Sequence, residues 1–290
     1  MEYQEFIENL LRKVKDKVGD HVSAEVISVQ KANGTKKEAI SFKDKEKDPQ
    51  PILYTEQIYQ QFCQEWTLEA CAGYAAEIYR RAQESEVARN LWEWKFIKDK
   101  IELCILKEDW NRDFLQGVPY KKYLDLAIYC RVVLEREERQ VASVTVNASM
   151  LQAWHVTEEI LWETAFCNFR GKKFRINNVE NLFPQIVRNG GGSLPTECFV
   201  ITDKDYVYGA AAILRTDLLE GLSDLLGCSF YILPSSLHEI ILLADQEEKD
   251  TETLREMVRE INRKLVGKEE WLSDQIYYYR YKSGKVEVCA

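Results

Sequence analysis

Hydrophobic and polar residues alternate along the chain with two periods, one typical of helices and one typical of strands. Residues 3–18 place hydrophobic side chains every three or four positions, and Gly19 follows them as a stop signal. Residues 22–30 then alternate at every second position, and Asn33 with Gly34 provides a turn into a returning strand over 38–42. The pattern predicts a helix followed by a β-hairpin.

A hairpin followed by a helix recurs along the chain, over residues 22–82, 122–166 and 229–265. Local signals mark the helix ends, with Thr157 as an N-cap and Gly227 as a stop. Helices that cover one face of antiparallel sheets make an α+β protein. The sequence therefore predicts an α+β fold whose antiparallel sheets are built from recurring hairpin-plus-helix units, with the helices on one face.

Four further stretches are interpreted as strands of different kinds. Residues 117–135 form one long apolar strand, and residues 237–244 are apolar on both faces, as in a central strand. Residues 206–214 contain Gly209 and three alanines, which in a strand allow a helix, a backbone or a ligand to approach closely. Residues 275–281 predict a half-exposed edge strand that closes the fold.

The glycine-rich run at 190–192 lies in the stretch most typical of a loop or linker. We therefore predict an N-terminal α+β lobe over 1–115, a middle hairpin-helix unit over 116–188 and a C-terminal α+β lobe over 189–290. The alternative is that the three parts pack as one continuous domain.

Composition limits the class of protein. The chain has 290 residues, 46% of them hydrophobic, and a formal net charge of −9. It holds eight cysteines, of which the two nearest, Cys63 and Cys71, are eight positions apart, so metal-binding and redox spacings are missing. Scattered thiols favour a reducing cytoplasm, and no apolar run reaches the length of a membrane span. We expect a soluble cytoplasmic protein without a metal site, a cofactor or a membrane association.

The negative net charge also argues against nucleic acid as a partner, because it repels the phosphate backbone. One lysine cluster is the exception to this balance: Lys31, Lys36, Lys37, Lys43, Lys45 and Lys47. Acidic residues interleave with these lysines, so a solvated hairpin of mixed charge is the simpler interpretation.

Several stretches resemble a known family: "VPYKKYLDLAIYC", "YGAAAIL", "FYILPSSLHEIILL", and "MVREIN" with the following "WLSDQIYYY". In this order they are similar, over nearly the whole chain, to an uncharacterised family of Gram-positive gut anaerobes, domain of unknown function 5688. More loosely, the arrangement resembles another uncharacterised family, number 1444, of bacilli. The resemblance implies a bacterial origin and carries no activity.

One short stretch holds the side chains of a hydrolase. Ser235, Ser236, His238 and Glu239 lie within five positions of one another. A serine nucleophile needs a base within hydrogen-bond reach and a third group that orients the base. Neighbours in an extended strand point to opposite faces, and two serines after a proline are typical of a turn. A structural hairpin is the favoured interpretation, and a catalytic hairpin is the alternative.

Two groups of aromatic residues are candidate binding surfaces. On the last predicted strand, Tyr277, Tyr279 and Tyr281 share one face and Arg280 lies on the other, an arrangement that binds bases or a partner's strand. The second group is Trp92, Trp94, Phe96, Trp110 and Phe114. Packing explains both groups more simply, although an exposed subset would mark a binding face.

These observations favour a non-enzymatic binding or regulatory module with a protein as its possible partner. The reason is that no metal, nucleotide or nucleophile pattern stands out in a well-patterned chain. The alternative is a hydrolase that uses His238 with Ser235, Ser236 or Glu239.

Overall fold

The computed structural model describes residues 1–44, 50–137, 140–178, 198–234, 236–245 and 250–289, without side chains at 137, 140 and 265. The described helices are α1 Tyr3–Val18, α2 Thr55–Gln64, α3 Leu68–Glu84, α4 Glu86–Arg89, α5 Trp94–Ile97, α6 Ala148–Trp154, α7 Glu158–Gly171, α8 Thr216–Leu226 and α9 Thr251–Leu265. The described strands are β1 Val22–Gln30, β2 Lys36–Asp44, β3 Ile52–Tyr54, β4 Ile101–Lys107, β5 Tyr120–Tyr123, β6 Leu126–Glu137, β7 Gln140–Thr145, β8 Phe174–Asn178, β9 Cys198–Asp203, β10 Phe230–Leu233, β11 Glu239–Ala244, β12 Tyr277–Arg280 and β13 Lys285–Val288.

The chain divides into two compact units, an N-terminal unit of Met1–Lys98 and a C-terminal unit of Asp99–Ala290. Three antiparallel sheets with several helices make the α+β class, which confirms the predicted fold class. The sequence-based division into 1–115, 116–188 and 189–290 stays a prediction.

The N-terminal unit is built on the predicted helix and hairpin. The strands pair in the order β1-β2-β3, and the buried face of α1 carries Phe6, Leu10 and Val14, four residues apart. This spacing places the three side chains on one side of the helix, where they join the core of the unit. Glu69 at the start of α3 pairs with Lys13 of α1, at 2.7 Å from carboxylate oxygen to Nζ.

The C-terminal unit contains two sheets. In the smaller sheet the order is β4-β6-β5, and β7 pairs with β6. In the larger sheet six strands follow the order β13-β12-β10-β11-β9-β8. β11 lies in the interior of this sheet, as its two apolar faces predict.

A β-bulge in β6 changes which side chains face each other. Val133 pairs with Ser143 and Glu135 pairs with Ala142, so Leu134 is an extra residue without a partner in β7. In a regular strand, residues five positions apart face opposite sides. The bulge therefore turns Arg136 onto the face that also carries Arg131.

The structure differs from the sequence-based assignment of strands in three places. Residues 117–135 do not form one strand, since the chain turns between β5 and β6 at Leu124, whose φ is 56°. Tyr277–Arg280 are not at an edge, because β13 returns from a turn at Lys282 and Gly284 and pairs with β12. Lys282 and Gly284 both have positive φ, and the short β13 after them was missed.

Residues 206–214, the third of these places, do not form the predicted strand. Gly209–Leu214 form a 3₁₀ helix instead. The backbone N–H groups of Gly209 and Ala210 donate to the carbonyls of His238 and Leu237, at 3.0 and 3.3 Å. A Cβ atom at position 209 would lie 2.4 Å from the amide nitrogen of Asp203. The small side chains therefore allow the close approach of backbone, one of the three explanations given for them.

All eight cysteines carry free thiols, and only Cys63 and Cys167 among them are exposed. None of the helices in the described part of the chain combines the length and the apolar character needed to cross a membrane.

Candidate functional site

The candidate site is a cavity of about 440 Å³ in the C-terminal unit, which we call the charged pocket. Its volume lies in the range of pockets that hold small molecules, about 300–1,000 Å³. Charged side chains dominate its lining, including Glu102, Arg136, Lys172, Lys173, Asp203 and Lys204.

Four different elements supply these side chains. Glu102 lies on β4 and Arg136 on β6, where the bulge turns it toward the pocket. Lys172 directly follows α7, and Asp203 is the last residue of β9. Ends of secondary-structure elements from both sheets therefore meet at this position.

Two cations on the pocket floor share three carboxylates. Arg136 pairs with Glu102 through Nη2, and with Asp203 and Asp205 through Nη1, at 3.2 and 2.7 Å. Lys172 Nζ lies 3.0 Å from Glu102 Oε2 and 3.2 Å from Asp203 Oδ2. Every charge of the floor is therefore compensated by at least one opposite charge.

Asp203 is the most enclosed carboxylate of this network, with 0% of its surface exposed. Its Oδ1 accepts hydrogen bonds from the backbone N–H groups of Asp205 and Val207, at 2.7 and 3.2 Å. Burial is the largest single influence and would raise the pKa of Asp203, but Lys172 and the two N–H groups together outweigh it, and the pKa is lowered. Asp203 is thus a permanent anion at neutral pH and no proton donor.

The rim of the charged pocket carries two exposed cations, Lys173 and Lys204. Neither forms an ion pair with a residue that the structure describes. A negatively charged group entering the pocket would therefore meet uncompensated lysines first.

The loop from β9 to the 3₁₀ helix holds two tyrosines in the left-handed region, Tyr206 with φ 61° and Tyr208 with φ 56°. Bulky residues rarely adopt this conformation, which persists only where the surroundings enforce it. The guanidinium of Arg175 lies 5.2 Å from the ring centre of Tyr206, and that of Arg131 lies 4.1 Å from the ring centre of Tyr208. Two cation–π contacts thus hold the loop beside the pocket.

His238 lies directly before β11, in a turn where most of the hydrogen bonds involve backbone groups. Its Nδ1 accepts a hydrogen bond from the Tyr208 N–H at 3.1 Å, so its proton lies on Nε2, 3.4 Å from a carboxylate oxygen of Glu270. The backbone N–H of His238 donates to Ser236 Oγ at 3.1 Å. Within the described residues, neither ring nitrogen is hydrogen-bonded to a hydroxyl group.

The other members of the predicted hydrolase group are placed differently. Ser236 is buried, and burial raises the pKa of the half-buried Glu239 carboxyl, an effect that His238 reduces. Ser235 lies outside the described residues. A catalytic role for these side chains stays a prediction.

β12, the strand that carries the predicted tyrosine group, has some side chains in the core and others at the surface. Tyr277 and Tyr279 are buried, the first donating its hydroxyl to Asp125 at 2.8 Å and the second stacking on Phe230. Arg280 is exposed and pairs with Glu287. The predicted binding role of this strand is untested, and it would fall on Arg280 and on Tyr281, which follows the strand.

The lysine cluster of the N-terminal hairpin has mixed charge where the structure describes it. Lys43 pairs with Glu25, and Lys37 lies 3.4 Å from Glu56. Lys45 and Lys47 lie outside the described residues. The described part of the chain contains no cluster of histidine, cysteine and carboxylate side chains that could hold a metal ion.

Sequence reasoning missed the charged pocket because its members are far apart along the chain. Glu102 and Arg136 are 34 positions apart, and Arg136 and Asp203 are 67 positions apart. One local signal was present: Asp203 ends a buried strand and Asp205 follows two positions later, where polar side chains gather at a sheet edge.

A family model described as a family of unknown function, DUF5688, matches residues 3–281, which confirms the resemblance seen in the sequence. No curated protein and no solved structure matches the chain.

Proposed function

Because the chain belongs to DUF5688, a family of unknown function, we propose its role from the geometry of the site: a non-enzymatic binding protein that holds a small anionic molecule in the charged pocket. The observation that carries this proposal is that the floor charges are paired, whereas Lys173 and Lys204 at the rim form no ion pair with a described residue.

The pairing favours binding over catalysis for an electrostatic reason. A general acid or base works best with a pKa near the working pH, whereas the pKa of Asp203 is lowered and Arg136 is always protonated. A fixed network of opposite charges instead offers directed donors and acceptors to a ligand. Lys173 and Lys204 would add attraction for its negative groups.

The test is a thermal-shift screen of the full chain with phosphorylated and carboxylated metabolites. A ligand of the pocket should raise the unfolding temperature of the wild-type protein and of Lys285→Gln, whose lysine is exposed on β13. The shift should be lost in the double variant Lys173→Gln, Lys204→Gln. An equal shift in all three proteins would place binding elsewhere and contradict the proposal.

A hydrolase is the second candidate, and the raised pKa of Glu239 beside His238 is the observation that favours it. It predicts turnover of small esters or amides that His238→Ala and Ser236→Ala reduce by a hundredfold or more. His21→Ala, at an exposed histidine of the other unit, is the matched control. Unchanged turnover in both hairpin variants would exclude this mechanism.

A protein partner is also part of the binding proposal, because Trp92 and Phe96 of the predicted aromatic group are 46% and 39% exposed. We expect a tagged wild-type chain to retain such a partner from lysate at high salt. Replacement of both side chains by serine should release the partner, while the Lys285→Gln control keeps it. Retention by the serine variant would show that these aromatics are not the binding face.

A further inference from the structure

Arg131 differs from the other arginine on its face of β6. Arg136 pairs with three carboxylates, whereas Arg131 forms no ion pair with any residue that the structure describes. Glu102 lies directly opposite Arg131 on β4, but its two oxygens are engaged by Arg136 and Lys172. The guanidinium of Arg131 therefore has no counter-ion among the described residues, and it lies against the side chains of Tyr208, Tyr129 and Cys104.

Two buried polar atoms in this region, Arg131 Nε and Ser143 Oγ, have no hydrogen-bond partner among the described residues. The register of β6 with β7 pairs Arg131 with Thr145 and Val133 with Ser143, so Arg131 and Ser143 share one face as diagonal neighbours. Both groups can donate a hydrogen bond to the same acceptor.

We propose that Arg131 and Ser143 form a binding site for one oxyanion group, such as the carboxylate or phosphate of a small molecule. An oxyanion would accept the Nε–H and the Ser143 hydroxyl together, and it would supply the missing negative charge. Arg131 is not among the residues that line the charged pocket, so this site does not depend on the function proposed there.

Charge decides between an oxyanion and a water molecule as the occupant. A bridging water would satisfy both hydrogen bonds but would leave the guanidinium without a counter-ion. Arg131 stacks on Tyr208 at 4.1 Å, and its Nε–H group is the part of the guanidinium left to bind a ligand. The left-handed backbone of Tyr208 keeps its ring at this position.

The experiment measures anion affinity by titration calorimetry on the full chain, with sodium acetate and sodium phosphate as probes at constant ionic strength in sodium chloride. We expect Arg131→Gln to weaken binding by about tenfold or more and Ser143→Ala by about two- to tenfold. Arg263→Gln is the matched control, because Arg263 is an exposed arginine near the end of α9.

The outcomes separate the two proposed sites. Binding that Arg131→Gln weakens and the double lysine variant keeps supports the new site, and the preferred probe tells a carboxylate from a phosphate. Equal affinity in wild type, Arg131→Gln and Ser143→Ala would overturn the proposal, as would the absence of binding by either probe. If Arg131→Gln does not fold, the conservative Ser143→Ala decides alone.

Discussion

At the scale of single residues, Asp203 shows how donors overcome the cost of burying a charge. Water is excluded from this carboxylate, yet Arg136, Lys172 and two backbone N–H groups keep it ionised. A buried ion pair with satisfied partners adds little net stability, but removing one partner costs about 3–5 kcal/mol. The carboxylate should therefore be a sensitive point of the C-terminal unit.

We expect Asp203→Asn to lower the free energy of unfolding at pH 7 by about 3 kcal/mol. Because the folded pKa of Asp203 lies below its unfolded value, its stabilisation is complete above about pH 4 and is lost as pH falls toward the folded pKa. The wild-type protein should therefore lose more stability than the variant between pH 5 and pH 3 in urea titrations. Asp113→Asn, at an exposed site, should follow the wild type. Parallel curves for wild type and Asp203→Asn would contradict this account.

Residues whose role is local could be predicted from the sequence, and residues whose role depends on distant partners could not. Thr157 caps α7 by accepting the Ile160 N–H, and Gly227 ends α8 with φ 69°, both as predicted. Asp203 has its partners on β6 and after α7, and nothing within its own stretch indicates them. His238 is a similar case: its candidate partners are close along the chain, but its ring accepts a hydrogen bond from the backbone of Tyr208, 30 positions away.

A second sensitive residue is Gly209. An added Cβ would lie within 2.6 Å of backbone atoms of three residues, and backbone cannot move aside easily. We expect Gly209→Ala to destabilise the protein by about 3 kcal/mol, at or above the usual range for overpacking. Gly221→Ala, in the exposed middle of α8 with open space around it, should instead stabilise by about 0.5–1 kcal/mol. Similar urea midpoints for the two variants would show that the backbone around position 209 moves to accommodate the added Cβ atom.

At the scale of elements, the bulge at Leu134 determines which face Arg136 occupies. The apolar pattern predicted one strand over 117–135, which includes most of β6, but it did not predict the extra residue. A bulge changes the register of a strand and leaves its apolar pattern largely unchanged. The misassigned 3₁₀ helix has a similar cause: a run of small residues fits several backbones, and only the contact with β9 and β11 selects one.

A double-mutant cycle tests the bulge. In the normal chain, Arg136→Met should cost about 3 kcal/mol, because Glu102, Asp203 and Asp205 lose a shared cation. When Leu134 is deleted, Arg136 moves to the opposite face, and the same substitution should cost less than about 0.5 kcal/mol. The measurement is the free energy of unfolding of all four proteins in urea. An equal cost in both backgrounds would mean that the bulge does not orient this arginine.

At the scale of the whole molecule, two separate cores predict two unfolding events. Phe42 is fully buried in the N-terminal unit, and Ile232 is fully buried in the C-terminal unit. Truncation of such side chains to alanine removes about 2–5 kcal/mol from the core that contains them. Chains with more than one core often depart from two-state behaviour.

We therefore expect two transitions in scanning calorimetry, with Phe42→Ala lowering the temperature of one and Ile232→Ala that of the other. A third transition would support the sequence-based separation of 116–188 from 189–290. If either variant shifted every transition by the same amount, the cores would be unfolding as one cooperative unit.

The exposure of the cysteines has a practical consequence. Cys63 belongs to the N-terminal unit and Cys167 to the C-terminal unit, and the other six thiols are buried or half-buried. Spin labels or dyes should attach to these two sites fastest, so the natural chain carries one probe position on each unit without any engineering. Dipolar spectroscopy then measures the distance distribution between the two labels. A change in this distribution when a ligand is added would report motion of one unit relative to the other.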